Sequence, residues 1–191
     1  METLKEKIAR VVKEEIEIRP YDPAWPAMFE DEKACLQNIL AKDLFLRIEH
    51  FGSTAVPGLP AKPVVDMLVE VVSLNRIKAQ VPPVLEPRGY DYFWRPTSGD
   101  TTPPFYAWFI KRDQAGRRTH HIHMVEKDYP QWEGLLFRDF LRTHPETANA
   151  YAALKKNLAI KYPGDRVAYT RAKTEFVRLY TDKARALFNK E

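Results

Sequence analysis

Cysteine is nearly absent from this chain: Cys35 stands alone among 191 residues. A single thiol excludes an intrachain disulfide framework and any cysteine-cluster metal site, and it fits a reducing compartment. Cys35 itself reads as a core residue. Long apolar runs are also missing, and none approaches the roughly 20 residues that a membrane-spanning helix needs. The amino terminus, METLKEKIARVVKEEIEI, is charged throughout and lacks the apolar region of a secretory signal, so a cytoplasmic protein with no membrane role is expected. Excess charge of one sign is absent too. Lys and Arg number 30 against 26 Asp and Glu, a formal charge of +4, with no basic stripe interleaved with aromatics. Nucleic acid is therefore not an expected partner, whereas a small anionic ligand is compatible.

With 45% hydrophobic and 29% charged residues, the chain can bury one sizeable core, and a single domain over residues 1–191 is expected. Leu4, Ile8, Val11 and Val12 recur at helical spacing. A second helix is expected after the Pro20–Pro26 turn, carrying Trp25, Phe29, Leu36 and Leu40. Leu44 to Phe51 reads as the first core strand. The loop from Val56 to Pro63 holds three prolines and cannot be a regular helix, so it should present Lys62 from a stiff frame. Val64 to Val69 is a buried-strand pattern broken by Asp66. Ser73 looks like a helix cap before the Pro82-Pro83 break, and Gly89 to Trp94 resembles a strand. Arg95 to Pro104 is the most loop-like stretch, either a lid or a long turn. Phe105–Lys111 and Thr119–Val125 read as a hairpin. From Asp128 onward the period becomes helical, with one helix before Pro145, one from Pro145 to Pro163, and a third from about Val167 to Phe188. The expected fold is α+β: a mixed sheet of about five strands, an N-terminal helix packed on it, and a helical C-terminal half walling a cleft.

Chemistry concentrates around Asp66. An acid in an apolar strand needs a partner, because an isolated buried charge is costly. The Gly52-Ser53-Thr54 turn precedes it. A Gly-Ser turn followed by a strand carboxylate resembles the signature of the nucleotidyltransferase superfamily, in which the turn holds phosphates and strand acids bind divalent metal. The usual second acid would fall two residues later, where this chain has Leu68. Glu70 shares the face of Asp66 but lies about 13 Å along the strand, too far to share an ion. His121 and His123 alternate onto one strand face while His120 faces the other way. With Asp66 they could form a two-histidine, one-carboxylate set; otherwise His121 hydrogen-bonds a buried acid and His123 lines a pocket. Arg138 and Arg142, one helical turn apart, either grip phosphate or form salt bridges. Tyr151 with Lys155 and Tyr169 with Lys173 repeat one spacing on successive helices, either as surface pairs or with lysines facing the pocket.

The blocks HFGSTAVPGLPAKPVVDMLVEV, THHIHMVE, LLFRDFLRTHPETANAYAALK and AYTRAKTEFV, in this order between about Ile18 and Lys183, closely resemble the GrpB-like bacterial family of the nucleotidyltransferase fold superfamily. The resemblance implies that Gly52 and Ser53 occupy the phosphate-binding turn and Asp66 the first metal-binding carboxylate. Members are sometimes fused to dephospho-CoA kinase, which implies a link to nucleotide or coenzyme A chemistry. The expectation is a metal-dependent nucleotidyltransferase acting on a nucleotide and a small-molecule acceptor. Asp66 and His123 would be catalytic, and Asp66, His121 and His123 would hold a divalent metal (Mg or Mn, with Zn also compatible). Gly52, Ser53, Thr54, Lys62, Arg138, Arg142 and Lys155 would contact phosphate. The alternatives are a non-catalytic module that binds a nucleotide or coenzyme A precursor, and a metal-dependent hydrolase built on Asp66, His121 and His123. The oligomeric state is not legible.

Overall fold

The computed structural model describes residues 4–12, 14–97 and 103–188. A five-stranded mixed sheet forms the centre, in the order β1-β2-β5-β4-β3. Its strands are β1 (Phe45–Phe51), β2 (Val65–Val71), β3 (Tyr90–Pro96), β4 (Phe105–Arg112) and β5 (Arg118–Val125). β2 and β5 run parallel, and every other pair in the sheet is antiparallel. β4 and β5 form the expected hairpin. β1 lies at an edge of the sheet rather than within it, and Leu46 is accordingly exposed.

Strand alternation divides the sheet into two faces. Val65, Met67 and Val69 of β2, with Ala107, Phe109, Ile122 and Met124, form the larger core with Trp25, Phe29 and Leu36. Those last three come from α2 (Trp25–Ile39) and recur at helical spacing, so one stripe of the helix covers this face. Cys35 lies on α2 but is half-buried, off the stripe that fills the core. α3 (Leu74–Gln80) packs Leu74 and Ile77 beside it, capped by the Ser73 hydroxyl, and the short α4 (Pro82–Leu85) starts at the proline pair. The opposite face carries Asp66 and Leu68 with Tyr106, Trp108 and Val125. Val11 of α1 (Leu4–Val12) packs onto its outer part.

The helical half supplies α5 (Glu133–Thr143), α6 (Pro145–Lys161), α7 (Arg166–Ala172) and α8 (Thr174–Phe188). The third C-terminal helix expected from periodicity is therefore two. Asp165 caps α7 by accepting from Val167 and Ala168 amides, and the break falls at Lys173. Phe137, Leu141, Tyr151 and Ala152 clamp Val56 and Leu59 of the proline loop, so the stiff loop is also packed in place. The lid-like reading of Arg95–Pro104 falls in part on residues 98–102, outside the described residues. Among the described residues no helix is long and apolar enough to cross a membrane.

Candidate functional site

Two parallel neighbours bring the key residues together. Asp66 pairs in register with His121, and Leu68 with His123. The second-acid position is therefore filled by an apolar side chain, and the residue beside it on the next strand is an imidazole. His121 and His123 sit on one face with ring centroids 6.4 Å apart, while His120 turns to the other face and meets the Met28 carbonyl at 3.2 Å.

Gly52 shapes this site in a way its neighbours in sequence do not reveal. Its backbone, at φ 72° and ψ −170°, lies in a region that is essentially glycine-only. A Cβ there would overlap the Asp66 carboxylate. The glycine is required as much to admit Asp66 as to turn the chain.

Asp66 keeps 29% of its side chain exposed and binds His121 Nδ1 at 3.1 Å. The other ring nitrogen, Nε2, lies 3.3 Å from an Arg118 guanidinium nitrogen. Arginine can only donate, so Nε2 accepts and Nδ1 carries the proton given to Asp66. Burial pushes the Asp66 carboxyl up, but the His121 hydrogen bond and the positive charges around it win, and its pKa falls below the ordinary value. Burial drives His121 down to about 4 and His123 down to about 3, so both rings are neutral near pH 7. His123 is wedged between Phe51, edge-on at 5.3 Å, and Tyr106, stacked at 5.6 Å. Its Nδ1 is buried with no hydrogen-bond partner.

These residues fit a divalent ion. One ligand atom from each of Asp66, His121 and His123 lies within 4.8 Å of the others. A neutral imidazole with an unpartnered buried nitrogen is an available ligand, and one carboxylate with two imidazoles suits Zn or Mn. Asp66 and His123 are the readier ligands. His121 orients Asp66 from the neighbouring strand, and it becomes a ligand only by releasing the proton it donates.

The expected phosphate-binding residues separate into two groups. Ser53 lies at the turn, near enough for its side chain to influence the Tyr151 hydroxyl. Lys62 reaches to 5.4 Å from the Tyr169 ring centre. Lys155 is buried, donating to the Pro60 carbonyl and lying 4.9 Å from the Tyr151 ring centre. The second group is committed elsewhere. The Thr54 hydroxyl is buried against His50 Nε2 at 3.0 Å. Arg138 grips the Asp139 carboxylate, Glu49 and the His50 carbonyl, and Arg142 spends two donors on the Ala55 carbonyl at 2.8 and 3.0 Å. Arg138 fastens α5 to the end of β1 and Arg142 fastens it to the turn, so they hold the frame of the turn and their donors are already engaged.

Sequence reasoning left out His50, whose ring stacks on Phe29 at 4.8 Å, and Arg118, which sets the His121 tautomer. Nothing in local spacing marks either. Lys173 carried a signal, the repeated tyrosine-to-lysine spacing, and its ammonium lies 4.5 Å from the Tyr169 ring centre.

The family model described as GrpB protein matches residues 15–183. The chain belongs to the GrpB family. It is 43% identical to a UPF0157 protein of Pseudomonas aeruginosa over 90% of its own length and 68% of that protein's. The crystal structure of the conserved protein GrpB from Enterococcus faecalis superposes with a TM-score of 0.77 at 33% identity, covering 90% of this chain and 99% of the other. Fainter similarity, 28% identity over 88% of this chain, links it to 46% of a Mycolicibacterium paratuberculosis protein named dephospho-CoA kinase.

Proposed function

We propose that this GrpB-family protein binds a nucleotide or related phosphorylated molecule together with a divalent metal at Asp66 and His123, and transfers the nucleotidyl group to a small-molecule hydroxyl. The observation that carries the reading is His123, in register beside the second-acid position, which places a ring nitrogen within 4.8 Å of an Asp66 carboxylate oxygen and whose buried Nδ1 has no hydrogen-bond partner. A bound divalent ion would supply charge neutralisation and polarisation at the α-phosphate. The protein's own part is positioning. Gly52 and Ser53 offer a turn beside Asp66 to the phosphates, and Lys62 and Lys155 offset phosphate charge. In the transfer, the acceptor oxygen bonds to the α-phosphorus as the bond to the leaving phosphate breaks, and the acceptor's proton is lost to solvent. Asp66, ionised at neutral pH, orients the acceptor hydroxyl by accepting its hydrogen bond. The low basicity of His121 and His123 suits them to lone-pair donation rather than to holding that proton.

Asp66→Asn should abolish Mn²⁺-dependent nucleotide binding in calorimetry, and an unchanged affinity would contradict the reading. A second reading, a nucleotide-binding module without turnover, is favoured by Leu68 at the second-acid position. It predicts ligand affinity that needs no metal and no pyrophosphate release from any nucleoside triphosphate. Coenzyme A precursors belong in the ligand screen because of the relative named for dephospho-CoA phosphorylation.

A further inference from the structure

We infer that Lys62, Lys155 and Lys173, gathered around the rings of Tyr151 and Tyr169, form a built subsite for a polyphosphate chain, able to hold it before any metal arrives. Lys173 and Tyr169 extend the site beyond the residues used above, and the inference rests on the proposed function only for the identity of the ligand's other end.

Three separate segments deliver these lysines: the proline loop before β2, the middle of α6, and the junction of α7 with α8. Lys62 and Lys173 approach the same Tyr169 ring, at 5.4 and 4.5 Å from its centre. Other buried or half-buried cations of the chain are matched by acids: Lys111 by Glu32, Arg118 by Glu14, Arg138 by Asp139 and Glu49. Among the described residues none of the three lysines is within ion-pair distance of a carboxylate, although Lys155 is only 2% exposed. Asp66 is the acid whose field reaches all three.

A second observation points the same way. Tyr169 is 1% exposed, and its hydroxyl is buried without a hydrogen-bond partner. Tyr151, whose hydroxyl lies within the influence of both Tyr169 and the Ser53 side chain, connects the lysine cluster to the turn beside Asp66.

Electrostatics sets the ligand class. Unpaired ammonium groups at such a depth are costly, and an anion among them removes the cost. Burial and then mutual repulsion lower Lys62 and Lys155 to about 7, and burial lowers Lys173 to about 8. Three ammoniums offset by Asp66 alone leave roughly two positive charges before any metal arrives and roughly four with a divalent ion, and lysines from three separate segments let a chain of phosphates meet them individually where one phosphate does not. The phosphates would supply the anionic ligands that Leu68 does not.

The test is calorimetry with inorganic tripolyphosphate and with orthophosphate, in the presence of a chelator. Wild-type protein should bind tripolyphosphate without metal, at least about tenfold more tightly than orthophosphate. Lys173→Met and Lys155→Met should each weaken tripolyphosphate about tenfold or more, with Lys173→Arg retaining most of the affinity. Removing one of three crowded ammoniums relieves repulsion, so Lys173→Met should melt at or above the wild-type temperature, while in Lys155→Met the freed Pro60 carbonyl offsets that gain. Asp66→Asn separates the two proposals. It should bind tripolyphosphate at least as tightly as wild type, because it removes a repelling carboxylate, whatever becomes of Mn²⁺ binding. Metal-free protein that ignores tripolyphosphate, equal affinity for orthophosphate, or methionine variants that bind like wild type would each overturn the subsite.

Discussion

Two acids of this protein, Glu32 on α2 and Asp66 on β2, have opposite surroundings. Glu32 is 2% exposed on α2 and is fully partnered, accepting from the Tyr90 hydroxyl at 2.5 Å and pairing with Lys111. Asp66 accepts from one imidazole, keeps part of its surface open, and faces three lysines that it cannot neutralise alone. A buried charge with a complete set of partners fixes structure. One with an incomplete set, beside an orphaned imidazole nitrogen, marks a place prepared for a ligand.

The largest effect that sharpens this contrast is on stability. Glu32→Ala should cost about 3–5 kcal/mol in denaturant unfolding, since it strands Lys111 and the Tyr90 hydroxyl. Asp66→Asn should cost less, about 1–2 kcal/mol, because the amide still accepts from His121 and part of the side chain meets water, although the three lysines lose the acid that offsets them. Equal losses for the two would erase the distinction. Gly52→Ala comes next, at about 2–3 kcal/mol, from its glycine-only backbone region and the overlap with Asp66. Arg142→Met should lose about 1–2 kcal/mol by freeing the Ala55 carbonyl from its two donors, with ligand affinity reduced only through a looser turn.

The remaining effect is a pH slope, and its sign follows from burial. His50 is pushed down to about 4 from an ordinary 6.5, so the unfolded chain binds its proton first as pH falls. Its contribution to stability is complete above about 6.5 and is lost progressively toward pH 4, and His50→Gln should make acid unfolding shallower. Lys155 and Lys173 act at the other end. Their folded values of about 7 and 8 lie below the ordinary 10.5, so the unfolded chain holds more protons between these limits. Stability of the ligand-free protein should rise with pH from about 7 to 10, and Lys155→Met with Lys173→Met should flatten that rise in thermal melts.

Much of this arrangement is legible in the sequence. Alternation placed His121 and His123 on one face and His120 on the other, because a strand's period admits no other outcome. The distance along a strand excluded Glu70, which pairs instead with Arg47 at 2.8 Å. The break at Lys173 was not legible, since the apolar spacing runs through it unchanged. Nor were the partners of Arg138 and Arg142, because a guanidinium suits phosphate and carbonyl alike and only tertiary contact decides. Thr54 shows the same limit: a hydroxyl beside a Gly-Ser turn suits phosphate, yet the turn rotates it inward onto His50. Gly52 was noticed for its turn, while its close approach to Asp66 depends on how β1 and β2 pair.

Anomalous diffraction from crystals soaked with Mn²⁺ and tripolyphosphate tests the central claim most directly. The account predicts a manganese peak within about 2.3 Å of an Asp66 carboxylate oxygen and a ring nitrogen of His123, with phosphate density against Lys62, Lys155 and Lys173. A manganese peak elsewhere, or none at Asp66 while the phosphates are bound, would contradict it.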